Sequence, residues 1–218
     1  ALRLLRESFP NLALHASTQM TLCSSFGAEL LKNMGACRIV PARELSLEEI
    51  STIRQKVDIE LETFIHGAMC YSYSGQCLFS SILGGRSGNR GRCAQPCRLP
   101  FCVETDGNRS RERHFLSLKD MCTLEHIPKL IESGIDSFKI EGRMKSAEYV
   151  AIVTSIYRKY LDMWYREGRV CVSHEDKENL RQAFNRGGFT KGYFYGDPGE
   201  KLMTGNFSKN EGVYVGTI

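Results

Sequence analysis

Four cysteines fall in one stretch of the chain, Cys70, Cys77, Cys93 and Cys97, separated by six, fifteen and three residues. The residues between them are largely glycine, serine, asparagine and arginine, which bury too little apolar surface to offset the entropy of ordering a loop. Metal ligation supplies that order, because each ligand bond fixes a distant backbone point. The alternative is four buried or oxidised thiols with no metal. Structural zinc usually takes its ligands as two close pairs, and only Cys93 and Cys97 form one. Four thiolates without a nearby histidine suit an iron-sulfur cluster as well as zinc. Spacing therefore leaves both metals open, with Cys122 a spare candidate for the fourth ligand and Cys102 a weaker one.

Around these cysteines, Glu62, Phe64, Gly67, Ala68, Met69, Cys70, Gly75, Cys77 and Ser80 stand as ETFIHGAMCYSYSGQCLFS. That pattern, the following GGRSGNRGRCAQPCR and the later KIEGRMKSAEYVA resemble peptidase family U32, the collagenase-like group, over nearly the whole chain. The family's label is protease, but its better understood bacterial members resemble oxygen-independent hydroxylases acting on ribosomal RNA, transfer RNA or a ubiquinone precursor. The resemblance implies a 4Fe-4S cluster on Cys70, Cys77, Cys93 and Cys97, and prephenate as the hydroxyl donor. It also implies a TIM-like barrel.

The 218 residues are 42% hydrophobic, ordinary for a globular protein. No apolar run is long enough for a membrane span, and no secretory signal is evident. Nine cysteines, clustered or scattered on apolar stretches rather than evenly paired, read as reduced thiols in a cytoplasm. The formal charge is +4, unevenly spread. Arg86, Arg90, Arg92, Arg98, Arg109, Arg111, Arg113 and Lys119 face only Glu104, Asp106 and Glu112 over one segment. Such a basic surface beside a metal loop fits an RNA partner, and a solvated loop face is the alternative.

Positioning these residues requires an alternation of strands and helices. Apolar periodicity predicts strands over 11–17, 37–43, 58–67 and 136–140. Helices are expected over 26–35, after a capping box at Ser46 and Glu49, over 119–133 with Pro128 inside, after Ser146, and over 175–187. A hairpin with a glycine-bearing turn is expected after Pro100, and GGFTKGYFYG reads as a loop. This order predicts an α/β fold with parallel strands, the C-terminal half of a TIM-like barrel. Residues 1–168 form that part, with a cysteine-rich insertion at 68–117. Residues 169–218 hold a connecting helix and, in EGVYVGTI, the first strand of a truncated β domain. The chain opens without a methionine and reads as cut from something longer.

Catalytic groups of such barrels follow the C-terminal ends of the strands. The strand ends nominate His15 and Gln19, Arg43 and Glu44, Glu62 and His66, and Lys139, Glu141 and Arg143. Glu62, His66, Glu141 and Arg143 are the catalytic candidates, Glu62 and His66 sharing a face at strand spacing. Glu141 and Arg143 either form an ion pair holding a turn or leave Arg143 to bind a substrate anion. Tyr71 and Tyr73 either stack on a flipped nucleobase or pack around the metal. Tyr149, Tyr157, Tyr160 and Trp164 recur at helical spacing and read as core or a domain contact.

Three functions fit. The first is hydroxylation of a nucleobase in ribosomal or transfer RNA. The second is peptidase activity, for which the chain shows neither a nucleophile elbow nor HExxH. The third is a noncatalytic RNA-binding module with structural zinc.

Overall fold

A computed structural model describes residues 1–212 and 216. The chain begins with helix α1 (Leu2–Ser8) and alternates through β1 (Leu14–Ala16), α2 (Ser25–Asn33), β2 (Ala36–Ile39), α3 (Leu47–Lys56) and β3 (Glu60–Ala68). The cysteine segment then contributes α4 (Phe79–Gly84), a hairpin of β4 (Glu104–Thr105) and β5 (Asn108–Arg109), and β6 (His114–Leu118). Next come β7 (Asp120–Cys122), α5 (Ile127–Glu132), β8 (Ser137–Ile140) and the long α6 (Ala147–Glu167). The last elements are α7 (His174–Ala183), β9 (Phe189–Thr190) and β10 (Met203–Gly205).

Local chemistry accounts for several boundaries. The Ser46 hydroxyl accepts from the Glu49 backbone while Glu49 reaches back to the Ser46 amide, a complete capping box. Ser146 caps α6 in the same sense, and Gly168 ends it at φ 66°. The hairpin turn sets Asp106 at φ 51° and Gly107 at φ 77°, the left-handed pair that two-residue hairpins require.

Strands β1, β2, β3 and β8 pair in parallel in that order, as the alternation predicts. The sheet is nonetheless mixed. Beyond its pairing with β2, strand β3 runs on through His66, Gly67 and Ala68, which pair antiparallel with Cys122, Met121 and Asp120 of β7. The helix expected over 119–133 is therefore corrected: its first residues are a strand, and Pro128 sits in the first turn of α5, where a missing N–H costs nothing. Helix α7 stops at Ala183, short of 187, and the glycine and aromatic loop after it contains β9, which pairs with β7. Strand β10 pairs antiparallel with β6, laying residues 203–205 on the cysteine segment. EGVYVGTI falls largely outside the described residues. No closed barrel forms among the described residues.

The parallel sheet has two unlike faces. Ile39, Leu61 and Ile65 point into a single core with Ala28 and Leu31 of α2, Ile50 and Ile53 of α3, Leu130 of α5, and Val153 and Tyr157 of α6. Each such aliphatic side chain contributes roughly 1.5–3 kcal/mol through burial. Tyr149, Tyr157 and Tyr160 belong to this core, as their spacing suggests. The other face carries His15, Arg38, Glu60, Glu62, Ser137 and Lys139 in register across the strands, half-buried or exposed.

Where β3 hands over to the cysteine segment, Gly67 has φ 103°, and a Cβ there would collide with the Glu141 carbonyl at the end of β8. A Gly67→Ala substitution is expected to destabilise the protein by at least ~1–3 kcal/mol, because it combines left-handed strain with that collision. Chemical denaturation measures the loss.

Candidate metal centre at the strand ends

The segment from Cys70 onward is ordered by polar ties to the loops that follow the parallel strands. Ser74, fully buried, donates its amide to Glu44 Oε1 at 2.6 Å and its hydroxyl to Oε2 at 2.8 Å. The Arg43 amide donates to Ser74 Oγ at 3.1 Å. From the loop after β1, Thr21 Oγ1 donates to the Ser74 carbonyl at 3.0 Å and accepts from Gln76 at 3.0 Å. Gly75 adopts φ 77° with its Cα so near that loop that a Cβ would lie 2.8 Å from the Gln19 carbonyl.

The later half of the segment is held the same way. Asn89 donates to the Gly75 carbonyl at 2.8 Å, and the Ala94 amide to Ser80 Oγ at 2.9 Å. From the loop after β8, Arg143 Nη1 donates to the Gly91 carbonyl at 3.0 Å. Arg98 donates to the Met69 carbonyl at 2.8 Å, to Ser117 Oγ at 2.9 Å and to the Leu118 carbonyl at 2.6 Å. These ties fix the segment that carries Cys70, Cys77, Cys93 and Cys97 against the strand ends.

Burial pushes the Cys97 thiol above its ordinary pKa; the Arg98 guanidinium opposes this, while the thiols of Cys70, Cys93 and Cys77 all add to it. The four cysteines are thus electrostatic neighbours, and all are free thiols. The Gln95 amide donates to Cys93 Sγ at 3.3 Å, the kind of N–H contact that stabilises a thiolate ligand. Among the described residues, no three His, Cys, Asp or Glu side chains are gathered as the ligands of one ion. Four free thiols are a donor set that suits either an iron-sulfur cluster or zinc. Cys122 does not join the four: it lies on β7, where the Tyr157 hydroxyl contacts its sulfur at 3.8 Å. Cys102 stands beside Arg109.

The strand-end candidates divide into two groups. Glu44, Arg43 and Arg143 fasten the cysteine segment. Arg143 does so through Gly91, and the Glu141 carboxylate accepts from the Arg143 backbone amide at 3.0 Å; of the two alternatives, an ion pair between their side chains is not formed among the described residues. Gln19 contributes its carbonyl, against Gly75. Glu62 belongs to the polar sheet face, bound by Lys139 at 2.9 Å, Arg38 at 3.3 Å and Ser137 at 3.2 Å. Burial alone would raise its carboxyl pKa, but these partners outweigh it and hold the group below the usual range. His15 lies exposed on the same face.

His66 does not share that face with Glu62. A register irregularity between Phe64 and His66 breaks the alternation, as bulges do, and turns the imidazole into the interior at 1% exposure. Burial, reinforced by Lys145, pushes its pKa down to about 3. Its ring contacts Tyr157, with Nδ1 3.4 Å from the hydroxyl. Four residues that the strand-end rule did not single out as site residues, Arg98, Asp120, Lys145 and Arg186, cluster nearby. Asp120 was hidden by the helix expected there, and Arg186 by its place after a helix end.

Within the cysteine segment, Arg86, Arg90, Arg92, Arg109 and Arg111 are exposed, and none forms an ion pair among the described residues. Tyr71 and Tyr73 are 46% and 74% exposed, which leaves their faces open. No helix among the described residues is long and apolar enough to cross a membrane.

Two outcomes are expected. Ser74→Ala removes a buried hydroxyl from the half-buried Glu44 carboxylate and should cost ~1–3 kcal/mol, with faster proteolytic cutting between Cys70 and Cys97. His66 is neutral when folded and protonates below about pH 6.5 when unfolded, so the unfolded state binds the extra proton between about pH 6.5 and 3. Stability should therefore fall with acid in that window by up to about 1.4 kcal/mol per pH unit, a slope that His66→Leu removes in pH-dependent denaturation.

The family model described as "Peptidase family U32" matches residues 1–204. The chain is 43% identical over 214 residues to the tRNA hydroxylation protein P1 of Bacillus subtilis, covering 94% of this chain and 50% of that protein. It is 46% identical over 161 residues to the 23S rRNA 5-hydroxycytidine C2501 synthase of Escherichia coli, covering 73% of this chain and 25% of the relative. It is also 31% identical over 227 residues to a collagenase of Porphyromonas gingivalis, covering 93% of this chain and 53% of that protein. No solved structure gives a significant match. The chain spans about half the length, or less, of these relatives. A match across nearly all of its residues, through the cysteine segment and the strands that hold it, makes this chain a member of peptidase family U32.

Proposed function

We propose that the chain is the cluster-bearing part of an oxygen-independent RNA hydroxylase, in which Cys70, Cys77, Cys93 and Cys97 hold a 4Fe-4S cluster. What supports this reading is a segment with four free thiols that follows β3 of a parallel sheet, in which Cys70, Cys77 and Cys93 act electrostatically on Cys97. The printed names of the Bacillus and Escherichia relatives, a tRNA hydroxylation protein and an rRNA 5-hydroxycytidine synthase, support the reaction class. In this reading the sheet is part of a TIM-like barrel whose remaining strands cover the polar face of His15, Arg38, Glu62 and Lys139. Residues 169–218 lead toward a further β domain.

A bound cluster would supply redox-active, Lewis-acidic iron, and prephenate would be the hydroxyl donor. The protein's own residues do the rest. Arg86, Arg90, Arg92, Arg109 and Arg111 attract the phosphate backbone of ribosomal or transfer RNA. Tyr71 and Tyr73, within the same segment as the ligands, offer faces on which an extruded base can stack. Glu44, Arg43, Thr21 and Arg143 fix the ligand loop in place.

A peptidase reading follows from the collagenase relative, and one set of variants separates the two. Anaerobically purified protein is expected to hold about four irons and four sulfides per chain, lost in Cys70→Ala together with the visible absorbance. Mass spectrometry of transfer and ribosomal RNA from a strain lacking the gene should show a missing hydroxylated base, restored by the wild type and not by Cys70→Ala. Zinc alone, or proteolysis that survives loss of all four cysteines, would overturn the proposal.

A further inference from the structure

Next to the cysteine segment lies a buried group of charges that the proposed chemistry does not use. The β3·β7 ladder pairs His66 with Cys122 and Ala68 with Asp120, so His66 and Asp120 project from the same face as diagonal neighbours. Each is 1% exposed. Asp120 Oδ1 accepts from Arg186 Nη1 at 2.7 Å, an ion pair almost wholly removed from solvent. Asp120 Oδ2 and His66 Nε2 have no hydrogen-bond partner among the described residues, although buried polar atoms are normally satisfied.

Two more cations converge on this carboxylate. Arg98, bonded to the carbonyl of Met69 just past β3 and to that of Leu118 at the end of β6, acts electrostatically on Asp120. Lys145, from the loop before α6, lays its ammonium over the Phe184 ring, and the Arg186 guanidinium sits 4.7 Å from the centre of the same ring. Burial first, and then Arg186 and Arg98, push the Lys145 pKa down to about 7, against the opposing pull of Asp120 and Glu141. Burial likewise raises the Asp120 carboxyl, against the pull of Arg186, Lys145 and Arg98.

Three cations around one interior carboxylate leave an excess of positive charge that is only partly open to water, an arrangement that is costly unless an anion completes it. We propose that Arg98, Lys145 and Arg186, with His66 Nε2, form a binding site for a small oxyanion, a carboxylate or a phosphate, beside the Asp120 carboxylate. Lys145 and Arg98, both half-buried, are the sides open to solvent, and the burial of Arg186, Asp120 and His66 favours a compact free anion over a phosphate of the RNA backbone. As an N–H donor, His66 Nε2 adds a hydrogen-bonding point beyond charge, whereas Asp120 Oδ2 can only accept and opposes the anion. This site goes beyond the proposed hydroxylase reading and does not require the cluster.

The test is calorimetric titration of the anaerobically purified protein with malonate, with inorganic phosphate and with neutral malonamide, iron content being measured on the same samples. Saturable binding of malonate or phosphate but not malonamide is expected, and which of the two binds identifies the anion. Lys145→Gln should weaken it at least tenfold at unchanged iron content, Lys145→Arg should retain it, and Asp120→Asn should strengthen it. The proposal is overturned if neither anion binds the wild type, if Lys145→Gln binds with unchanged affinity, or if an RNA oligonucleotide displaces malonate. A colourless protein that still binds malonate would remove the cluster reading and leave this site standing.

Discussion

Ser74 gives both of its hydrogen-bonding donors to the Glu44 carboxylate while fully buried, and the cysteine segment depends on this contact. A stretch rich in glycine, serine and arginine has no apolar surface to hold it down. Its order comes instead from hydrogen bonds to the loops after β1, β2 and β8, each anchored at the end of a packed strand. Glu44 matters most because its half-buried carboxylate fills both donors of the buried Ser74, which would otherwise be left unsatisfied. The four cysteines therefore inherit their positions from the sheet, even though none of them lies on it.

The sheet itself is asymmetric in a way that follows from strand alternation. One face, with Ile39, Leu61 and Ile65, packs on the helices and supplies the core. The other presents Arg38, Glu62 and Lys139 as a chain of opposite charges joined diagonally across three adjacent strands. Each exposed or half-exposed pair contributes little, on the order of 1 kcal/mol or less. Their collective effect is to keep Glu62 ionised and occupied, so it is a poor general base. The irregularity before His66 separates the two candidate residues onto unlike environments.

Charge is distributed by depth. The exposed arginines of the cysteine segment are unpaired and screened by water, which suits long-range attraction of a polyanion. Arg98, Lys145 and Arg186 lie deeper, where the same charge is far more consequential because the local dielectric is low. A single basic composition thus yields two separate electrostatic surfaces, one broad and one enclosed.

The pattern of apolar residues determined the strands β1, β2, β3 and β8, their parallel order, and the caps at Ser46 and Ser146, because these depend on residues close in sequence. Cysteine spacing and the flanking motif likewise identified the four thiols and the family. Local reading failed at Asp120–Cys122, whose three residues are strand only because β3 extends far enough to pair with them. It also missed the convergence of Asp120 with Arg186, 66 residues away in sequence, and the tie of Glu44 to Ser74, 30 residues away. Those contacts are set by how the strands and crossovers stack in space, and a polar side chain's partner across such a distance leaves no periodicity for the sequence to show.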